Sequence, residues 1–206
     1  MKRSRIVAAM TLSITMLAAS VAPVCAQEQE PVSLSISASP EGTDITVDEW
    51  ELSLHIPAGI KYKLDSEYDN LYFYAMDEGS IPYVMVRSYE YTDASDVAGF
   101  LDNFIEEMKE YYTDLEVVEG IQEFDAEKYM FLGTQVEYTI SGDHKVLDTR
   151  LAIQNNDKIV LVSIKEIPDE GYVVGDLPIQ IIRDMDLKGV DEADTSDAKA
   201  GSFLTR

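Results

Sequence analysis

KYMFLGTQVEYTISGDHKVLDTRLAIQNNDKIVLVSIKE, residues 128–166, reads as three strands joined by two tight turns. The runs 128–140, 145–154 and 159–166 are rich in β-branched and aromatic residues. Between them, Ser141-Gly142-Asp143-His144 and Asn155-Asn156-Asp157-Lys158 supply the polar residues that hairpin connections favour. In the first run Met130, Leu132, Val136 and Tyr138 are opposed by Tyr129 and Phe131, so both faces of that strand are apolar. Both faces of the resulting sheet are therefore expected to be covered at least in part.

Upstream, Trp50, Leu52, Leu54 and Ile56 alternate with Glu49, Glu51, Ser53 and His55, the period of a half-buried strand. Pro57-Ala58-Gly59 ends it, and Ile60 to Leu64 is expected to return as its partner. Leu71 to Met76 and Pro82 to Tyr91 form a hairpin across Asp77-Glu78-Gly79-Ser80, and a further strand is expected near 115–124. Over residues 93–112 the period changes: Val97, Leu101, Phe104, Met108 and Tyr111 fall at helical spacing, with Asp93 or Ser95 as cap. A second helix is expected from Asp176, with Pro178 in its first turn and Leu177, Ile181, Ile182 and Met185 as its apolar stripe.

Strand, helix, strands, helix with short connections implies the α+β class, an antiparallel β-sheet with helices packed on it. Three stretches carry a resemblance: WELSLHIPAGIKY, then LYFYAMDEGSIPYVMVRSYEYTD leading into the long helix, then the three-strand run above with Gly133 breaking its first strand. In them the chain resembles the Mog1/PsbP-like family of α/β/α sandwiches over roughly residues 45–187. The resemblance implies that fold and a tendency towards non-enzymatic proteins that bind other macromolecules, some of them exported bacterial lipoproteins. It carries over no metal-binding or partner-binding residue.

The ends read differently. MKRSRIVAAMTLSITMLAASVAPVCAQ opens with Lys2, Arg3 and Arg5, runs mostly apolar from Ile6 to Ala22, and breaks at Pro23 before the small residues Val24-Cys25-Ala26. This is the layout of a signal peptide over residues 1–26, cleaved after Ala26. The alternatives are an uncleaved anchor, for which the run is short, and a lipoprotein, for which Val24 stands where a small residue normally precedes the cysteine. Cys25 is the only cysteine, so the cleaved chain would rely on its core rather than on disulfides. Residues 27–44 read as a linker with a first strand possible near its end, 45–188 as a single α+β domain, and 189–206 as a disordered acidic tail. Destination is secreted or extracytoplasmic, with membrane contact only through an uncleaved signal or a lipid on Cys25.

The 206 residues carry 39 Asp and Glu against 16 Lys and Arg, a formal charge of -23. That surface repels phosphate backbones, so no nucleic acid partner is expected. His55 and His144 are the only histidines and lie far apart in sequence, which argues against an ordinary zinc site. No G-x-S-x-G occurs; Ser163 and Lys165 share a strand face but lack S-x-x-K spacing. Glu106, Glu107 and Glu110 read as a solvated helix face. Neither Asp65 to Asn70 nor Asp191 to Asp197 has the glycine and terminal glutamate of an EF-hand loop, and no nucleotide-binding glycine motif is present. No catalytic residue, metal ligand or cofactor is therefore expected.

One pattern points to recognition. Tyr83, Met85, Arg87, Tyr89 and Tyr91 share one side of their strand, with Tyr72 and Tyr74 on the neighbouring strand. Tyrosine and arginine are favoured at interfaces because they bury large area and keep a polar end. Either this face meets a partner, or the C-terminal helix covers it and the rings are amphipathic core. The expected function is an exported, non-enzymatic binding or accessory module that contacts a protein or cell-envelope component. The rival is a secreted hydrolase working from an acidic cleft that the sequence does not reveal.

Overall fold

Ile45, Val47, Leu52, Leu54 and Ile56 are all at most 3% exposed, while Thr46, Ser53 and His55 between them reach water. Such one-sided strands bury their apolar face only against a second layer. That layer is a separate sheet. The computed structural model describes residues 34–65, 69–76, 79–91, 96–126 and 128–190. Its strands are β1 (Leu34–Ala38), β2 (Gly42–Val47), β3 (Leu52–Pro57), β4 (Lys61–Asp65), β5 (Asn70–Tyr74), β6 (Tyr83–Glu90), β7 (Glu116–Asp125), β8 (Met130–Ile140), β9 (His144–Asn155), β10 (Lys158–Glu166) and β11 (Met185–Leu187). Helix α1 spans Val97–Tyr111 and α2 spans Leu177–Arg183.

Two antiparallel sheets result, one of order β1-β2-β3-β11 and one of order β4-β5-β6-β10-β9-β8-β7. The expected single sheet is thus corrected to two, and the described chain is mostly β. The reason lies at β3, whose two edges are taken by β2 and β11. Ile60 to Leu64 therefore cannot return beside it; β4 crosses to the larger sheet and pairs with β5. Within residues 27–44, read as a linker with a strand possible near its end, Leu34–Ala38 forms β1 and β2 begins at Gly42. The signal segment 1–26 and residues 191–206 of the tail lie outside the described residues.

The main core fills the space between the sheets. Ile45, Trp50, Leu54 and Ile56 meet Phe73, Val84, Phe131, Leu151 and Val162 there. Burying each such side chain is worth roughly 1.5–3 kcal/mol. The α2 residues Leu177, Ile181 and Ile182 join this same core. Met185, expected on the helical stripe, instead begins β11 opposite Leu54. On the other face of the larger sheet, Leu101 of α1 clusters with Met85, Ala152 and Leu161. Ile105 and Met108 cluster with Val136, Tyr138 and Val146. The cap of α1 is Asp96, whose side chain accepts from the Gly99 amide at 2.8 Å; Asp93 and Ser95 lie outside the described residues.

The hairpin run over residues 128–166 forms as read, β8 with β9 and β9 with β10. Gly133 does not break β8, which runs through it. The irregularity sits in its partner, where the β7 register shifts twice between Val117 and Gln122.

Candidate functional site

Register fixes what shares the α1-side face of the larger sheet. Tyr72 and Tyr74 of β5 lie opposite Met85 and Tyr83 of β6. Those in turn lie opposite Ser163 and Lys165 of β10. One strand further, Ser163 and Lys165 face Arg150 and Asp148 of β9. The expected tyrosine face therefore runs without interruption into a cluster of charges.

The rings interlock at its centre. Tyr72 stacks on Tyr74 with centroids 5.9 Å apart, and Tyr83 meets Tyr72 edge-on at 5.3 Å. Arg87 lies over the Tyr89 ring at 4.6 Å, and Tyr89 leans on Phe100 of α1 at 5.0 Å. Tyr74 is buried, whereas Tyr72, Tyr83, Arg87, Tyr89 and Tyr91 are half-buried. The buried Arg87 Nε has no hydrogen-bond partner among the described residues. The C-terminal helix does not cover this face: α2 packs on the opposite side, because its stripe belongs to the inter-sheet core. Val97, Phe100 and Leu101 of α1 cover it in part.

The charge cluster was not anticipated. Asp148 is fully buried and takes both a 2.7 Å bond from Arg150 Nε and a 2.8 Å bond from Arg150 Nη2. Ser163 Oγ donates to it at 3.2 Å and Tyr138 OH at 3.3 Å. Lys165 Nζ stands 3.6 Å from the same carboxylate. Phe104 of α1 closes over Arg150, 3.9 Å from guanidinium carbon to ring centre. Burial opposes the charge of Arg150, but Asp148 more than offsets this and holds its proton more firmly than usual. Burial lowers the proton affinity of Lys165; Asp148 acts to raise it and Arg150 to lower it further. Burial and then the field of Asp148 push the Tyr83 and Tyr138 hydroxyls well above the ordinary phenol range. The carboxylate that accepts the Ser163 proton is already held in two-point contact by Arg150, which weakens it as a base.

A cavity of about 470 Å³ opens on the opposite face, lined in part by Val118, Gln135, Glu137, Lys145, Glu166 and Val174. Lys145 pairs with Glu137 at 2.7 Å, and Glu166 accepts from the Val174 amide at 2.7 Å. Burial raises the pKa of Glu166, opposed by that amide. A carboxyl held higher in the fold than in the unfolded chain destabilises only once ionised. The penalty is absent below about pH 4, grows as pH rises through the unfolded and folded values, and is complete above both. Glu166→Gln is therefore expected to melt slightly above the wild type at pH 7 and to converge with it in acid, read by calorimetry across pH.

The remaining expected positions are structural. His55 pairs with Asp44 at 2.7 Å, which raises its pKa, and His144 bonds Glu170. Glu106, Glu107 and Glu110 are exposed on α1, Glu106 bonding Lys109 at 2.7 Å. Among the described residues no group of three or more His, Cys, Asp or Glu is placed to hold a metal ion. No helix among them is long and apolar enough to cross a membrane.

No family model matches the chain, and no curated protein matches it in sequence. The solution structure of cyanobacterial PsbP (CyanoP) from Synechocystis sp. PCC 6803 matches it in fold, with a TM-score of 0.50. The two are 11% identical, over 80% of this chain and 98% of that one. The fold is PsbP-like.

Proposed function

We propose that this chain is an exported, non-enzymatic binding or accessory module that docks a protein or cell-envelope component on its tyrosine face. The observation that carries the reading is the incomplete cover over Tyr72, Tyr83, Arg87, Tyr89 and Tyr91. Aromatic rings left half-buried beside an arginine whose buried Nε lacks an acceptor fit the chemistry of recognition surfaces. A PsbP-like fold accords with a binding role without specifying one.

Because Tyr89 also rests on Phe100, leucine is a better probe than alanine; it keeps the apolar cover and removes ring and hydroxyl. Tyr89→Leu/Tyr91→Leu is expected to abolish capture of the envelope component that the wild type retains, with a Tm shift of no more than about 4 °C. Parallel loss of capture and folding would reduce the face to packing. Export is tested separately: the mature chain should begin at Gln27 by mass spectrometry, against an acylated Cys25 or an intact Met1.

The acidic cavity favours a second reading, a secreted hydrolase using Glu166 as a general acid. It requires the wild type to turn over p-nitrophenyl esters or glycosides and Glu166→Gln to lose that turnover. We expect turnover by neither.

A further inference from the structure

Arg150 and Asp148 neutralise one another in two-point contact, 2.7 and 2.8 Å. Lys165 is then a second cation on a carboxylate already satisfied by Arg150, Ser163 and Tyr138. The cluster holds one carboxylate and two cations, a local surplus of positive charge that is largely buried, with Lys165 at its outer side. An unbalanced buried charge is costly unless something balances it. Lys165 is cross-strand from Tyr83, its Nζ lies 5.7 Å from the centre of the Tyr138 ring, and its side chain is 21% exposed. An ammonium has three N–H donors. Asp148 is the acceptor that the fold offers it among the described residues.

We infer that Lys165 is a carboxylate-binding subsite on the tyrosine face, accepting the side chain of an aspartate or glutamate from an acidic ligand. The inference rests on the reading of this face as a docking surface and names the chemistry of what docks there. A carboxylate fits better than a phosphate because one negative charge balances the single surplus cation. Tyr83, cross-strand from Lys165 and edge-on to Tyr72 at 5.3 Å, sets the tyrosine rings beside this lysine.

The test uses three probes on the full chain at about 0.15 M salt, where the chain's own negative charge is screened beyond about 8 Å: acetyl-tetraglutamate amide labelled with a fluorophore, the equivalent tetraglutamine, and free glutarate as competitor. The glutamate peptide is expected to bind the wild type, and Lys165→Met to bind it at least about tenfold more weakly. Lys165→Met is expected to melt no lower than the wild type, because methionine removes the surplus charge and keeps the stem. Weaker competition by glutarate supports an acidic segment as occupant; glutarate competing as well as the peptide overturns it. Equal binding by Lys165→Met, equal binding of tetraglutamine, no binding of tetraglutamate, or a lowered Tm in Lys165→Met overturns the subsite. Loss of binding in Lys165→Met with full binding in Tyr89→Leu/Tyr91→Leu keeps the subsite and overturns the wider docking face. The reverse pattern keeps the face and overturns the subsite.

Discussion

Asp148→Ala is expected to lower the free energy of unfolding by about 3–5 kcal/mol. The substitution leaves Arg150, 6% exposed, and Lys165 beside one another with no anion between them. It also strips the Ser163 and Tyr138 hydroxyls of their acceptor. Urea denaturation followed by tryptophan fluorescence reads this directly, with a lower midpoint at unchanged slope. Asp148→Ala/Lys165→Met should recover part of the loss, since the second change removes one of the two stranded cations. A single variant within about 1 kcal/mol of wild type would mean that water or a surface acid reaches Arg150, the deeper of the two cations.

Asn155→Ala should cost about 3 kcal/mol, from three backbone groups losing their partner at once. Asn155 is fully buried at the end of β9. Its Nδ2 donates to the carbonyls of Trp50 at 3.0 Å and Glu51 at 3.2 Å, and its Oδ1 accepts from the Gly189 amide at 2.8 Å. One side chain thus ties the larger sheet to the turn that enters β3 and to the segment that leaves β11. Neighbouring Asn156 occupies the left-handed turn position, with φ of 55°, and its exposed amide bonds the Glu51 carboxylate; Asn156→Gly relaxes the backbone while losing that solvent-exposed bond, so it should cost far less than Asn155→Ala. If both variants unfold at the same urea concentration, the buried amide is not the link between the sheets.

Much of this body was legible in the sequence. The strands of residues 128–166, the hairpin of β5 and β6, and α1 all follow from period and turn chemistry, which are local. Partition into two sheets was not, because it depends on which edges of β3 are already occupied when Lys61 arrives. The position of α2 escaped for the same reason: its stripe says that one side is buried, never against which layer. The tyrosine positions were found by alternation alone, and alternation could have gone further. Asp148 and Arg150 are two residues apart on an apolar strand, so they share a face, and Ser163 and Lys165 do likewise on the next strand. Two polar pairs at that spacing, one hairpin apart, signal a buried ion cluster. Asn155 was hidden by its company, since Asn155-Asn156-Asp157 looks like turn throughout.

The twice-shifted register of β7 has a bearing on how the molecule behaves at high concentration. This strand is the outer margin of the larger sheet, and a straight margin there would offer its unpaired amides and carbonyls to a neighbouring molecule. Its kinks at Val117–Gln122 throw those groups out of line, and exposed Glu116 and Glu123 set like charge against like in any head-on approach. At the far margin β4 is five residues long and presents Lys61 and Lys63 to solvent. Edge-to-edge addition of a second copy is thereby disfavoured at both margins of the larger sheet.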